Sequence, residues 1–511
     1  SKIDVYGTLQ ANGTDGNNVY FTSYKDDAVG GDTNGDELAT IPATNDWPQI
    51  VVNPGAAANF NYTTIRYGGY RAFSCPNSTC FGAINNRGTL NFSHSQILQT
   101  DKYGIYQTAG LTTVDSSLIY DQTQGGIYIV SGDLVVSNST ISNQGHTGIV
   151  VSSEAVNFDL YSNTFQSNVR DVYVYAGVSF MHANNVSENG KGGGFHIQGV
   201  TTVDSVWQDD NMPYIVEGIL TVPLASTLSL GLDVVIKFAH NQSQIDVYGT
   251  LDVDGTEENK VYFTSLKDDE IAGDTNGDAD ATMPAANDWR RILIRLGAVA
   301  EMDNAVIRYG GYRQFDCPSS TCYGGINNQG SINLINTEIS KNGNYGIYQT
   351  AGDLTIHQSE IFGHTAFGIA NYAVNLADAT DNWWGDDSGP FHPTLNPTGL
   401  GDRVSDNVLF AQWATQTVQI DPVIIIPGIL GSAEKNGVWL IDPIFHTYDV
   451  LFSTLKAYGY SEGADLFTFP YDWRQSNVIT AIQLRDKINE VQAVCGCAKV
   501  DLVAHSMGGL V

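Results

Sequence analysis

Long apolar runs are missing. No stretch of about 18 apolar residues occurs among the 511, so no segment reads as a membrane-spanning helix. Positive charge is scarce: Lys and Arg number 24 against 55 Asp and Glu, for a formal net charge of −31. A phosphate backbone needs clustered cations, so this balance excludes nucleic-acid binding. Cysteines are few, and the six fall into three close pairs, Cys75 with Cys80, Cys317 with Cys322, and Cys495 with Cys497. No histidine accompanies them, which argues against metal sites. The Cys75/Cys80 and Cys317/Cys322 loops read as local disulfides of an oxidising compartment, with free thiols as the alternative. An initial Met is also absent, so a signal peptide cannot be judged from Ser1 onward.

What is abundant is turn chemistry. The chain has 53 Gly and 26 Tyr, with many Asn, Ser and Thr and only 15% charged residues, a composition that predicts mainly β structure. Self-similarity dominates the first 370 residues or so. Ile3-Asp4-Val5-Tyr6-Gly7-Thr8-Leu9 recurs unchanged at Ile245 to Leu251, an offset of 242 that holds without a gap for residues 1 to about 129 against 243 to 371. Within the first copy Ile97, Ile119 and Ile141 are 22 apart, as are Ile105, Ile127 and Ile149, and Ser95, Ser117 and Ser139. A unit that short cannot bury its own apolar face, so like faces must stack, one coil upon the next at ~4.8 Å. The pattern predicts a duplicated parallel β-helix, right-handed by the usual crossover preference. Copies are expected over 1–213 and 214–413. The first lacks the lead-in coils of 214–242, as though cut at its N-terminus. Asp381-Asn382-Trp383-Trp384-Gly385-Asp386 resembles the terminal coil of right-handed β-helix surface proteins, its tryptophans expected to seal the stack.

Two loops suggest ligands. Lys25 to Asp36 and Lys267 to Asp278 both carry Asp-Thr-Asn-Gly-Asp. The sets Asp32, Asn34, Asp36 and Asp274, Asn276, Asp278 put hard oxygens on one curled loop, which suits Ca²⁺. This resembles the first half of an EF-hand or dockerin loop. It departs from that pattern at Glu37 and Ala279, where glycine is expected, and at Ala43 and Ala285, where a bidentate Glu is expected. Other ligands would have to come from Asp26, Asp27 or a neighbouring coil, and a solvated turn is the alternative. No other cofactor is called for. Arg66-Tyr67-Gly68-Gly69-Tyr70-Arg71, repeated from Arg308, offers aromatics that stack on sugars or on the protein itself. A β-helix also admits polysaccharide lyase chemistry, but no base and metal constellation for it can be named.

After Trp413 the pattern changes to alternating strand and helix. The apolar run Pro422 to Gly428, a helix from about His446 to Tyr458, the strand Leu466 to Phe469, a helix with Leu484, Ile488 and Val491 on one face, and the strand Val500 to Val503 predict a doubly wound α/β sheet over 414–511. The last strand enters Ala504-His505-Ser506-Met507-Gly508-Gly509, whose small flanking residues permit the sharp turn that exposes a serine Oγ. Pro427-Gly428-Ile429-Leu430-Gly431-Ser432, Pro470-Tyr471-Asp472-Trp473-Arg474 and this last motif together resemble the lecithin:cholesterol acyltransferase family of lipases. That likeness implies an α/β-hydrolase acting on lipid esters. Ser506 is then the nucleophile, the Met507 and Ile429 N–H groups form the oxyanion hole, and a triad acid and histidine lie after the serine. His505 and His446 are not credible bases, so the 511 residues on their own are expected to be inactive. The resulting expectation is a secreted or surface lipase or O-acyltransferase, with β-helices for display or glycan attachment. A non-enzymatic adhesive or carbohydrate-binding surface protein is the alternative.

Overall fold

A computed structural model describes the chain except residues 1, 70–81, 190–191, 202–203, 280, 313–323, 416–421, 436, 444–445, 458–459, 496 and 498. Both Cys-x4-Cys loops lie outside the described residues, while Cys497 is disulfide-bonded. Contacts divide the chain into two compact units, Ser1–Thr415 and Gln416–Val511.

The first unit is a β-helix in which each strand pairs in parallel with its counterpart one coil away. Both predicted Ile ladders form. Ile97, Ile119 and Ile141 are cross-strand partners in one sheet, and Ile105, Ile127 and Ile149 in another. All six side chains are fully buried. Burial of this completeness contributes roughly 1.5–3 kcal/mol per residue, so the repeat is itself the source of stability. The serines form a third column at a turn. The Ser95 N–H donates to Ser117 Oγ at 3.1 Å and the Ser117 N–H to Ser139 Oγ at 3.1 Å. The column runs on through Asn163, Asn185 and Asp210, satisfying buried turn amides that no strand can reach. Trp384 is fully buried in the core of the last coils.

The two copies form one continuous stack, but they are not in phase around it. Ile105, Ile127 and Ile149 continue through Val172, Phe195, Tyr214 and Ile236 into Phe263, Ile307 and Ile339. By the 242-residue offset, Ile307 and Ile339 correspond to Ile65 and Ile97, which lie on a different face of the first copy. The second copy is therefore turned by one face of the coil, and equivalent loops leave the stack on different sides.

The second unit is a three-stranded parallel sheet in the order Leu466–Thr468, Val423–Ile426, Asp501–Ala504. The central strand is buried on both faces and its residues divide by parity. Ile424 and Ile426 pack with Leu484, Val491 and Ile488 of the helix Asn477–Cys495. Val423 and Ile425 pack with Leu451, Phe452 and Leu455 of the helix Asp449–Ala457. The first helix begins three residues after the predicted start: His446 has φ 55, which no helix accommodates. Helices on opposite faces follow from right-handed crossovers to opposite edges of one strand.

Candidate active site and acidic loops

Strand order places the site. The chain leaves the central strand Val423–Ile426 towards one edge and returns to add Asp501–Ala504 at the other. The turns after these neighbouring strands lead to opposite faces at the carboxyl ends, the position at which open α/β sheets bind ligands. Pro427 to Leu430 forms one wall and His505 to Met507 the other.

Ser506 occupies the turn with φ 54 and is exposed. Left-handed backbone at a non-glycine residue costs of order 1–3 kcal/mol and persists only where the surroundings enforce it. Here they do. The His505 N–H donates to the Ile426 carbonyl at 3.0 Å, and a Cβ on Gly508 would stand 2.7 Å from that same carbonyl oxygen and 2.8 Å from the Pro427 oxygen. A Cβ on Gly428 would lie 2.7 Å from Ser506 Cβ, so the two walls touch at the serine. Ser506 Oγ makes no hydrogen bond to a described residue, nor do the N–H groups of Ile429 and Met507 donate to one.

Tyr448 was not foreseen from the sequence. Its buried hydroxyl accepts the Gly428 N–H at 3.0 Å and lies 2.8 Å from His505 Nδ1, tying the glycine wall to the residue before the serine. His505 is thereby occupied away from Ser506, and His446 is exposed beside Asp449. The Pro470 to Arg474 motif acts as a brace. The Tyr471 hydroxyl donates to the Pro427 carbonyl at 3.0 Å and the Trp473 indole to the Ser432 carbonyl at 3.2 Å. The Arg474 guanidinium grips both oxygens of Asp472 and holds that carboxyl below its usual range.

Parts of the chain are similar to known proteins. Residues 439–511 match the family model for lecithin:cholesterol acyltransferase, and residues 50–216 match that for a right handed beta helix region. The chain joins a β-helix to a lecithin:cholesterol acyltransferase-like segment. It is 30% identical over 105 residues to Lecithin-cholesterol acyltransferase-like 4 of Arabidopsis thaliana, covering 19% of each chain. It is 38% identical over 69 residues to Phospholipase A(1) LCAT3 of the same organism, covering 13% of this chain and 15% of that one. The chain thus spans less than a fifth of either relative. A solved structure, the catalytic unit of the GH87 alpha-1,3-glucanase from Streptomyces thermodiastaticus, is similar over 79% of this chain and 70% of its own, with 11% identity and a TM-score of 0.28. Among the described residues no helix is long and apolar enough to cross a membrane.

In the acidic loops the structure brings acids of the expected set together with one of the further candidates in each copy. Carboxylates of Asp27, Asp32 and Asp36 converge, as do those of Asp269, Asp274 and Asp278. Asn34 instead donates its amide to Asp36 and Thr40, and Asn276 to Asp278 and Thr282. Arg66 and Arg308 are spent within the fold, paired at 2.6 Å to Asp26 and Asp268. They also lie over Tyr67 and Tyr309. Gly68 and Gly310 of the same motif lie against the Trp47 and Trp289 rings, where a Cβ would come within 2.8 Å.

Proposed function

We propose that Ser506 is the nucleophile of a serine lipase or O-acyltransferase that takes an acyl group from a lipid ester. The Met507 and Ile429 N–H groups then receive the oxyanion, an arrangement that contributes roughly 3 to 4 kcal/mol when judged by deletion. One observation carries the reading: an exposed serine held at φ 54 at the carboxyl end of a parallel strand, against the glycine turn that follows the neighbouring strand. A serine needs a base, and neither His505 nor His446 is placed to serve, so residues beyond Val511 are proposed to supply the acid and the histidine. The relative named as a phospholipase A(1) makes a phospholipid the first substrate to try. The β-helix is proposed to display this segment at the cell surface or outside the cell, where a glycan is a candidate ligand. Hydrolysis of short-chain esters and of phosphatidylcholine vesicles by protein expressed from the full reading frame makes the test. Ser506→Ala is expected to lower turnover by at least about 10³-fold. Undiminished turnover in that variant would refute the assignment.

A further inference from the structure

Pro427 C=O and Gly428 N–H are the two ends of one peptide group, and each end meets a buried tyrosine hydroxyl. The Tyr471 hydroxyl donates to the Pro427 oxygen at 3.0 Å, and the Gly428 N–H donates to the Tyr448 oxygen at 3.0 Å. The two ends of a planar trans peptide point in opposite directions, so bonds at both stop the plane from turning about its Cα–Cα axis. The rings behind these hydroxyls are rooted in different cores. Tyr448 packs in the cluster of Val423 and Ile425, and Tyr471 in that of Ile424 and Ile426, so the peptide is gripped from both faces of the sheet.

The next peptide group is held at one end. Its carbonyl, on Gly428, accepts the Gly431 N–H at 2.9 Å, closing a turn in which Leu430 has φ 64. Left-handed backbone at a leucine persists only where neighbours enforce it. The other end is the Ile429 N–H, which donates to no described residue. It is therefore a free donor whose direction is set by the bonded peptide groups around it. Both tyrosines also fix where that donor stands. The Tyr448 oxygen lies 2.8 Å from His505 Nδ1, and the His505 N–H donates to the Ile426 carbonyl at 3.0 Å, which ties the turn to the residue before Ser506. Tyr471 spans the turn, its own N–H donating to Ser432 Oγ at 3.2 Å.

We infer that Tyr448 and Tyr471 are positioning residues that clamp the 427–428 peptide and so fix the direction of the Ile429 N–H relative to Ser506 Oγ, a role that rests on the reading of Ser506 as the nucleophile. An oxyanion donor works by standing in place before charge develops, and a displacement of about 1 Å costs about 10²-fold in rate. Release of either end frees the plane, so losing both hydroxyls costs little more than losing one.

Tyr448→Phe, Tyr471→Phe and the double variant, made in protein expressed from the full reading frame, test the clamp with a short-chain p-nitrophenyl ester and a p-nitrophenyl alkylphosphonate. The phosphonate bonds to the serine Oγ with release of p-nitrophenolate and leaves an oxygen where the oxyanion forms, so it both counts sites and times each one. Each single variant is expected to titrate at one phosphonyl group per chain, at a rate lowered roughly 10- to 100-fold, with kcat lowered in parallel and KM within about twofold. The double variant is expected within about threefold of the slower single one. Rates per site within about twofold of the unaltered protein in both single variants overturn the clamp. So does a multiplicative loss in the double variant. Fewer titratable sites at an unchanged rate per site overturn it too, because the hydroxyls would then hold only the fold. Ser506→Ala separates the two claims: turnover of ester by that variant refutes the nucleophile itself, whereas an inactive Ser506→Ala beside fully active tyrosine variants sinks the clamp alone.

Discussion

Gly508 shows how much a single hydrogen in place of a methyl can decide. It packs so tightly beneath the central strand that an added Cβ would meet the Ile426 and Pro427 oxygens, both backbone, at 2.7 and 2.8 Å, while Gly509 beside it has nothing within 4 Å. Gly508→Ala is expected to destabilise the second unit by about 1–3 kcal/mol, and Gly509→Ala by no more than about 0.5 kcal/mol. Hydrogen exchange in peptides from residues 423–511 would measure both, and equal effects would contradict the geometry. Asp171 makes a comparable point by charge. Burial pushes its carboxyl up to about 6, against the opposing hydrogen bonds from Ser187, Asn168 and the Gly194 N–H. The folded chain therefore binds more protons than the unfolded chain between pH ~4 and ~6, and this group's contribution to stability is full below that window and lost as pH rises through it. Asp171→Asn should remove that slope, worth up to about 3 kcal/mol, from urea denaturation measured between pH 4 and 7. An identical profile in the variant would show that Asp171 titrates normally.

At the scale of elements, legibility followed how local each cause is. The Ile ladders were readable because a 22-residue step puts like residues in register, and the structure pairs them as that step requires. The central strand Val423–Ile426 was readable because a strand buried on both faces has no polar alternation to hide it. The phase shift between the copies was not readable. An offset of 242 reports duplication, but the face on which the second copy begins is set by Tyr214–Val222, which hands Tyr214 to Ile236 and Leu220 to Ile245 in separate ladders. Tyr448 escaped notice for a similar reason: it precedes a helix by one residue, and only tertiary packing brings its hydroxyl to Gly428 and His505. In the acidic loop, spacing named Asp32, Asn34 and Asp36 with Asp27 as a further candidate, and only the fold shows that the Asp27, Asp32 and Asp36 carboxylates converge while the Asn34 amide donates to Asp36.

For the whole molecule, most of the mass is a stack whose stability comes from repetition, while the proposed chemistry sits on a small parallel sheet with its own two-sided core. The turned second copy means that the two acidic loops leave the stack on different faces, so a ligand engaging both would have to reach around it. The proposed acyl-transfer step has Ser506 as its one covalent acceptor. Acid-quenching protein from the full reading frame during turnover of a phosphatidylcholine or short-chain ester, followed by peptide mass measurement, tests that claim most directly. An added acyl mass is expected on the peptide containing Ser506, and on no other. An acyl group trapped on a different residue, or steady turnover with the Ser506 peptide never modified, would contradict it.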